Sequence, residues 1–389
     1  MIDNLIQEEK KYLIGNYARF PVAFERGEGV YLYDTQGKKY LDMLAGIAVN
    51  TLGYNHPKLV KALEEQIKKV IHVSNLFYIP PQVEVAKLLV ENSCGDKVFF
   101  CNSGAEANEA AIKLVRKHFY DKGRPDKYEI ITFTGGFHGR TIGSLTATAQ
   151  PKYHEGFKPL LQGIKYAEFN DPESLKSAIT DKTAAIMFEF IQGEGGINPI
   201  TEEFLQTIKE VAKENELLIV VDEVQTGIGR TGKLFAYQNY DIQPDIITSA
   251  KGLGGGVPVG AVIAKDEVAN AFQPGTHGST FGGNYLAMVA AKVVLEEVLS
   301  EGFLTNVIEN GIYLKENLRR LGLKPKGYGL MVGVDLPENI NAKDIVKHAL
   351  EQGLIIGTAG TNTLRFVPPL IVEKQHIDEA INILEGLLA

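Results

Sequence analysis

Only two cysteines occur in 389 residues, Cys94 and Cys101, and they do not form a CxxC pair. A disulfide framework is not expected, and a reducing, cytoplasmic setting is. The histidines are scattered, with no HExxH run and no paired cysteines, so no metal site is expected. No apolar run approaches a membrane span, and the first 17 residues carry too much charge for a signal sequence. Basic residues are not in excess: a formal net charge of −8 argues against a nucleic-acid surface and leaves room for a local basic pocket. There is no internal repeat and no low-complexity tract.

What is present is ordinary for a globular chain, with 44% hydrophobic and 23% charged residues. The length suits one large domain and a smaller one. Asp34-Thr35-Gln36-Gly37 separates two short alternating runs, Val30–Tyr33 and Lys39–Asp42, which reads as a β-hairpin. Helices are expected after His56-Pro57 and after Pro80-Pro81, where proline suits a first helical turn. Apolar runs at Lys97–Cys101, Glu129–Phe133, Ala184–Phe190, Leu217–Val221 and Ile246–Ser249 then alternate with amphipathic stretches such as Glu106–Tyr120 and Glu202–Glu214. That alternation predicts an α/β fold with a mostly parallel sheet covered by helices on both faces. A long helix over Asn284–Leu299 leads out of this region. Short strands at Leu330–Asp335 and Leu364–Val367 follow. The division expected is 1–55 contributing to a smaller α+β domain, 56–299 as the large domain, and 300–389 as the rest of the small one.

The chemistry concentrates between residues 218 and 256. A strand-like Leu218-Ile219-Val220-Val221 ends in Asp222-Glu223-Val224-Gln225, and Ser249-Ala250-Lys251-Gly252 follows a second such strand. Carboxylates at the carboxyl ends of parallel strands face the ligand crevice of an open α/β sheet. A partly desolvated lysine loses basicity and can attack a carbonyl. An aspartate against a pyridine nitrogen keeps it protonated, which makes the ring an electron sink. Taken singly, Asp222 reads as a cap and Lys251 as a solvated loop residue. Asn102-Ser103-Gly104-Ala105-Glu106-Ala107-Asn108 follows another strand and opens a helix. Such a helix N-terminus is an anion site, though simple N-capping by Ser103 accounts for the stretch equally well. In Phe137-His138-Gly139-Arg140-Thr141, the aromatic ring could stack on a planar group and Arg140 could fork onto a carboxylate. A core Phe137 and a surface Arg140 are the plainer alternative.

These segments, with Gln192-Gly193-Glu194-Gly195-Gly196 and Gly278-Ser279-Thr280-Phe281-Gly282-Gly283-Asn284, resemble the class III pyridoxal-phosphate-dependent aminotransferases in content and order. The likeness runs from Phe20-Pro21 to Pro368-Pro369. It implies a fold-type I enzyme with a seven-stranded sheet and pyridoxal 5'-phosphate as cofactor. Carried onto this chain, Lys251 would hold the cofactor as a Schiff base, and Asp222 would pair with the pyridine nitrogen. Val224 would pack behind the ring, Gln225 would bond its hydroxyl, and Phe137 would stack on the other face. Ser103, Gly104 and Ala105 would bind phosphate, with Thr280 supplied by the partner of a homodimer whose sites lie at the interface. Arg140 would grip a substrate carboxylate and Arg365 the α-carboxylate of glutamate, with Glu194 as the gate that masks Arg365. Phe190 departs from the family's usual proline, and Lys326-Gly327-Tyr328-Gly329 from its usual Arg-Gly-x-Gly.

Within the family, Asn16-Tyr17-Ala18-Arg19-Phe20-Pro21 and Gly46-Ile47-Ala48-Val49-Asn50 resemble members that act on N-acetylornithine, with Tyr17 in the substrate pocket. Gly46 stands where ornithine-specific members usually carry tyrosine, which would make room for an acylated tail. The implied reaction converts N-acetylornithine and 2-oxoglutarate to N-acetylglutamate 5-semialdehyde and glutamate, in arginine biosynthesis. Ornithine, succinylornithine, N-succinyldiaminopimelate, 4-aminobutyrate and carrier-linked lysine are alternatives.

Two alternatives from other classes stand beside this one. Gly227-Ile228-Gly229-Arg230-Thr231-Gly232 matches GxGxxG and follows a strand. Five residues separate it from the apolar run, however, and Leu234 occupies the hydroxyl position of a GxxxxGK phosphate loop. A non-catalytic cofactor-binding protein on the same fold is a second alternative. Retention of Lys251, Asp222, both arginines and Glu194 speaks against it.

Overall fold

The computed structural model describes residues 2–388. Seven strands form the central sheet: β1 Lys97–Cys101, β2 Glu129–Phe133, β3 Ile164–Ala167, β4 Thr183–Phe188, β5 Leu218–Asp222, β6 Ile246–Ser249 and β7 Gly260–Ala264. Their order across the sheet is β1-β7-β6-β5-β4-β2-β3. All neighbours run parallel except β7, which is antiparallel to both β1 and β6. Every residue of β2, β4 and β7 is buried, as the continuous apolar runs of a sheet covered on both faces require.

Alternation along the strands divides this interior into two cores. On β4, Ile186 and Phe188 enter one, with Ile131, Phe133, Val221, Phe204 and Ile208. Met187 enters the other, with Val220, Val262, Ala111, Leu114 and Val115. The helix Glu202–Glu214 supplies Phe204 and Ile208, and its start is fixed by the Thr201 hydroxyl, which accepts from the Phe204 N–H at 3.3 Å. The helix Gly104–Asp121 supplies the second set from positions three and four apart. Each such buried Leu, Ile or Phe contributes roughly 1.5–3 kcal/mol.

A separate core joins the two ends of the chain: Val30, Leu41 and Met43 pack with Val307, Leu314, Val332, Leu364 and Phe366. The expected hairpin is there as Tyr31–Asp34 and Lys39–Asp42, with Asp34 Oδ1 accepting from Gln36 and Lys38 N–H across the turn. Phe24–Glu28, too polar to read as a strand, pairs on its outer side, and Leu354–Ile355 adds in parallel to its inner side. A second four-stranded sheet contains Pro325–Tyr328, Met331–Asp335, Thr363–Phe366 and Gly357–Ala359. The run expected as a strand over Ala184–Phe190 ends at Phe188, because the chain turns there to bring Glu189 behind the functional site.

Between hairpin and cavity lies a rare turn. Ala45, Gly46, Ile47 and Ala48 have φ of +53°, +62°, +67° and +60°, one turn of left-handed helix. It is closed by Ala48 N–H to Leu44 O at 3.0 Å and Val49 N–H to Ala45 O at 2.8 Å. The buried Asp42 carboxylate starts it by accepting from the Leu44 and Ala45 N–H groups, at 2.8 and 2.9 Å.

Candidate active site

The carboxyl ends of β1, β5 and β6 and the turn after β2 open onto one cavity of about 440 Å³. Ser103, Gly104, Ala105, Phe137, Arg140, Asp222, Val224, Gln225 and Lys251 all line it. These nine come from four separate segments of the sequence.

Asp222 ends β5 as a buried carboxylate. Its Oδ2 accepts from Asn108 Nδ2 at 2.8 Å and from His138 Nδ1 at 2.7 Å, and Oδ1 accepts from the Val224 N–H at 3.0 Å. Burial alone would make His138 less basic; the Asp222 carboxylate overrides it and raises the imidazole above its ordinary range. A negative charge is thereby fixed and oriented at the cavity wall. Lys251 follows β6 with a backbone φ of +41°, a strained value for a lysine. Burial lowers its basicity, against the opposing charges of Glu194 and Asp222. An amine so placed can lose its proton and act as nucleophile or base.

Ser103 is the N-cap of the helix Gly104–Asp121, its Oγ accepting from the Glu106 N–H at 3.2 Å. The capping and anion-site readings coexist, because Gly104 and Ala105 begin the helix and their N–H groups have no carbonyl within it. A Cβ on Gly104 would lie 2.6 Å from Val224 Cγ1, so the helix start and the turn after β5 close on each other only without a side chain there. The Gln225 Oε1 is buried without a partner among the described residues.

Arg365, on the strand Thr363–Phe366, is buried and ion-paired through Nη1 with Glu194 Oε1 at 2.5 Å. Burial would raise the Glu194 carboxyl, but the guanidinium prevails and holds it below the usual carboxylate range. Gln225 Nε2 lies 3.5 Å from the same carboxylate and links this pair to the cavity. Arg140 is exposed, with its guanidinium 4.1 Å from the centre of the Tyr153 ring and 5.4 Å from that of Phe137. Tyr17 is not brought to this cavity, being 68% exposed beside Arg19, and neither Glu194 nor Arg365 lines it; Thr280, expected from the partner, is exposed next to Phe281.

Three residues went unassigned in the sequence: Asn108, His138 and Glu189. They act on Asp222 or on backbone rather than on a ligand, so no motif chemistry announces them. The available signal was Glu189, a charge inside the apolar run Ala184–Phe190. The two departures from the family pattern lie off the cavity. Phe190 stacks on Tyr240 with ring centres 4.7 Å apart, and Lys326 pairs with Asp335 at 2.7 Å. The GxGxxG stretch is a run of turns with no helix after it, only the short 3-10 segment Ala236–Asn239. Buried Glu223 holds that loop, accepting from the Ala236 and Tyr237 N–H groups at 2.9 and 2.8 Å and from the Thr226 hydroxyl at 2.5 Å. Arg230 within it is buried against the Leu330 and Pro368 carbonyls. Nothing there is laid out for a nucleotide.

Comparison with known proteins agrees with the geometry. The family model for aminotransferase class III matches residues 13–388. The chain is 54% identical to the acetylornithine aminotransferase of Aquifex aeolicus, over 97% of this chain and 100% of that one. Among solved structures, the N-acetylornithine aminotransferase of Stenotrophomonas maltophilia K279a is 39% identical with a TM-score of 0.84, covering 98% and 97% of the two chains. An ornithine aminotransferase from Toxoplasma gondii, described with partial occupancy of PLP at its active site, is 30% identical with a TM-score of 0.94, covering 99% and 94%. With the fold, the cavity and the sequence in agreement over almost the whole chain, this protein belongs to the class III aminotransferases.

Proposed function

We propose that this aminotransferase holds pyridoxal 5'-phosphate in the cavity and moves the terminal amino group of N-acetylornithine to 2-oxoglutarate. The observation that carries the cofactor is the pairing of Lys251 and Asp222 at the ends of adjacent strands, facing one space. Pyridoxal phosphate, when bound, supplies a protonated ring that takes up the electron pair left when a carbon beside nitrogen loses its proton. Asp222, held by His138 and Asn108, keeps negative charge where the ring nitrogen belongs. Gly104 and Ala105 offer N–H groups to the phosphate, with the Ser103 hydroxyl beside them. Phe137 and Val224 wall the two faces, and the free Gln225 Oε1 would accept from the ring hydroxyl. Lys251 would hold the cofactor through Nζ, and as an amine whose basicity burial lowers it could also accept and return a proton there. Arg365 receives a dicarboxylate when Glu194 swings away, and Arg140 holds the other substrate carboxylate.

The 54% identity to an acetylornithine aminotransferase supports the donor. Gly46 itself does not line the cavity; a Cβ there would meet Asn50 Nδ2 at 3.1 Å and Val49 Cβ at 3.8 Å, and of these Val49 is a lining residue. Free ornithine is the second reading, because the chain shares its fold with the ornithine enzyme over 99% of its length, at 30% identity. Mixing the purified protein with each amine decides between them. Bleaching of the visible cofactor band by N-acetylornithine, its return with 2-oxoglutarate, and its loss in Lys251→Ala are the expected results. A faster response to ornithine would replace the donor.

We also infer a homodimer, in the cytoplasm to which the two free cysteines are suited. Leu76, Phe77 and Tyr78 are 87%, 68% and 97% exposed, an apolar ridge no monomer leaves bare without reason. Asn75 ties that ridge to the Thr280 loop through bonds to the Ser279 and Gly282 carbonyls at 3.1 and 2.8 Å, so the exposed Thr280 and the ridge belong to one surface, as a site completed by a second copy would need. No helix among the described residues is long and apolar enough to cross a membrane. Sedimentation of the wild type and of Phe77→Asp tests this: a dimer that the substitution splits is expected, and a monomeric wild type would refute it.

A further inference from the structure

Glu189 has no part in the reading above, yet it lines the same cavity and is 6% exposed. Its two oxygens serve two different loops. Oε2 accepts from the Phe137 N–H at 3.0 Å, and Oε1 accepts from the Gly193 N–H at 3.3 Å. The first loop carries the aromatic wall of the cavity and, one residue on, His138 with its bond to Asp222. The second carries Glu194, the partner of Arg365.

The approach is tight on both sides. A Cβ on Gly136 would meet the Phe133 carbonyl at 2.9 Å, His138 Nε2 at 3.3 Å and Glu189 Oε2 at 3.6 Å. A Cβ on Gly193 would meet the Gln225 amide at 2.4 Å. Burying a carboxylate here is costly, and burial pushes Glu189 up to about 7 against the opposing pull of His138. A residue that merely filled the space would fold more cheaply. Two N–H groups converging from different loops call instead for an acceptor oxygen on each side, which a carboxyl group provides and an amide does not. Glutamine would accept one N–H and confront the other with its own.

We propose that Glu189 is a positioning residue that joins the cofactor wall at Phe137 to the carboxylate gate at Glu194, so that one buried side chain sets both. The proposal rests on the cavity being the cofactor site. Its consequence is that cofactor affinity and the choice between amine and dicarboxylate change together.

Glu189→Gln and Glu189→Asp test it on the holoenzyme, by the dissociation constant for pyridoxal phosphate read from visible absorbance and by the single-turnover rates of the two half-reactions. In Glu189→Gln the dissociation constant is expected to rise about tenfold or more, and the ratio of half-reaction rates to shift by about fivefold. Glu189→Asp, shorter but still a carboxyl group, is expected to recover part of both. If Gln instead serves better than Asp, or both match the wild type, Glu189 only fills space and the proposal fails. Amide exchange in the wild-type holoenzyme stands apart from any variant: Phe137 and Gly193 should lose protection together as pH is varied, and independent exchange would overturn the link. A wild type that binds no cofactor would defeat the site reading itself.

Discussion

Arg365 meets Glu194 through a single terminal nitrogen, while its Nε is buried with no partner among the described residues. A guanidinium can bond a carboxylate through two nitrogens at once. Here a single donor meets the carboxylate and Nε stays unpaired beside Gly357, so the pair is weaker than the two-nitrogen fork and easier to exchange.

Removing the mask should therefore favour the dicarboxylate. Glu194→Gln is expected to speed the half-reaction with 2-oxoglutarate relative to that with N-acetylornithine by roughly tenfold, about 1.4 kcal/mol. Stability should respond as well. The folded Glu194 carboxyl lies below its ordinary range, so the pair stabilises the protein above that range and the contribution disappears as pH falls through the lowered value. Urea titrations below pH 5 should show the acid loss of stability shallower in the variant. Equal steepness in both proteins would mean the pair does not hold in solution.

Gly104 offers a packing test. A methyl group there would sit 2.6 Å from Val224 Cγ1, so Gly104→Ala should cost about 1–3 kcal/mol and weaken cofactor binding. Adding Val224→Ala clears the overlap and should restore more than half of the loss. Melting of the apoprotein and cofactor titration of all four members of the cycle measure the coupling, and strict additivity would argue that the two residues do not touch.

Glu223 gives a pH prediction of opposite sign to Glu194. Burial pushes its carboxyl up to about 7 from 4.5, so between those values the folded chain keeps a proton that the unfolded chain has released. Its contribution is complete below about pH 4.5 and is lost as pH rises to about 7, by at most ~3 kcal/mol. Glu223→Gln cannot titrate. Its stability should gain on the wild type as pH increases from 5 to 7, which denaturant midpoints at constant ionic strength would reveal. A constant gap would place the folded Glu223 pKa near its ordinary value.

The left-handed turn carries strain that can be relieved. A non-glycine residue in that region costs roughly 1–2 kcal/mol, and Ile47, branched at Cβ and 39% exposed, has little packing to set against it. Ile47→Gly is expected to raise the stability of the apoprotein by ~1 kcal/mol. A fall of similar size would show that Ile47 is held by contacts made only in an assembled or loaded enzyme.

Much of this architecture is legible in the residues. Lys97–Cys101, Glu129–Phe133 and Ile246–Ser249 are strands to the residue, and Glu202–Glu214 is a helix to the residue, because hydrophobic period and capping agree there. Two strands of the sheet went unread for physical reasons. Ile164–Ala167 lies at the sheet edge, half of it Lys165 and Tyr166, so no continuous apolar run marks it. Gly260–Ala264 follows a glycine- and proline-rich stretch and runs antiparallel, so no crossover helix announces it. At the site, residues that would face a ligand were legible in their motifs. Asn108, His138 and Glu189 were not, since their partners are Asp222 and the backbone, brought near only by the fold.

Asp222 pairs with Thr248 across two adjacent parallel strands, and Lys251 comes three residues beyond that partner. Neighbouring strands lie about 4.8 Å apart, a spacing set by peptide hydrogen bonds and not by side chains. The sheet is thus a ruler whose smallest division is fixed by the backbone, with a carboxylate at the end of one strand and an amine just past the end of the next. No point substitution can recalibrate it. On the proposed reading, variation in what the enzyme accepts falls to Arg140, Arg365, Glu194 and the turn at Ala45–Ala48, which lie off the scale and are free to change while the measure stays constant.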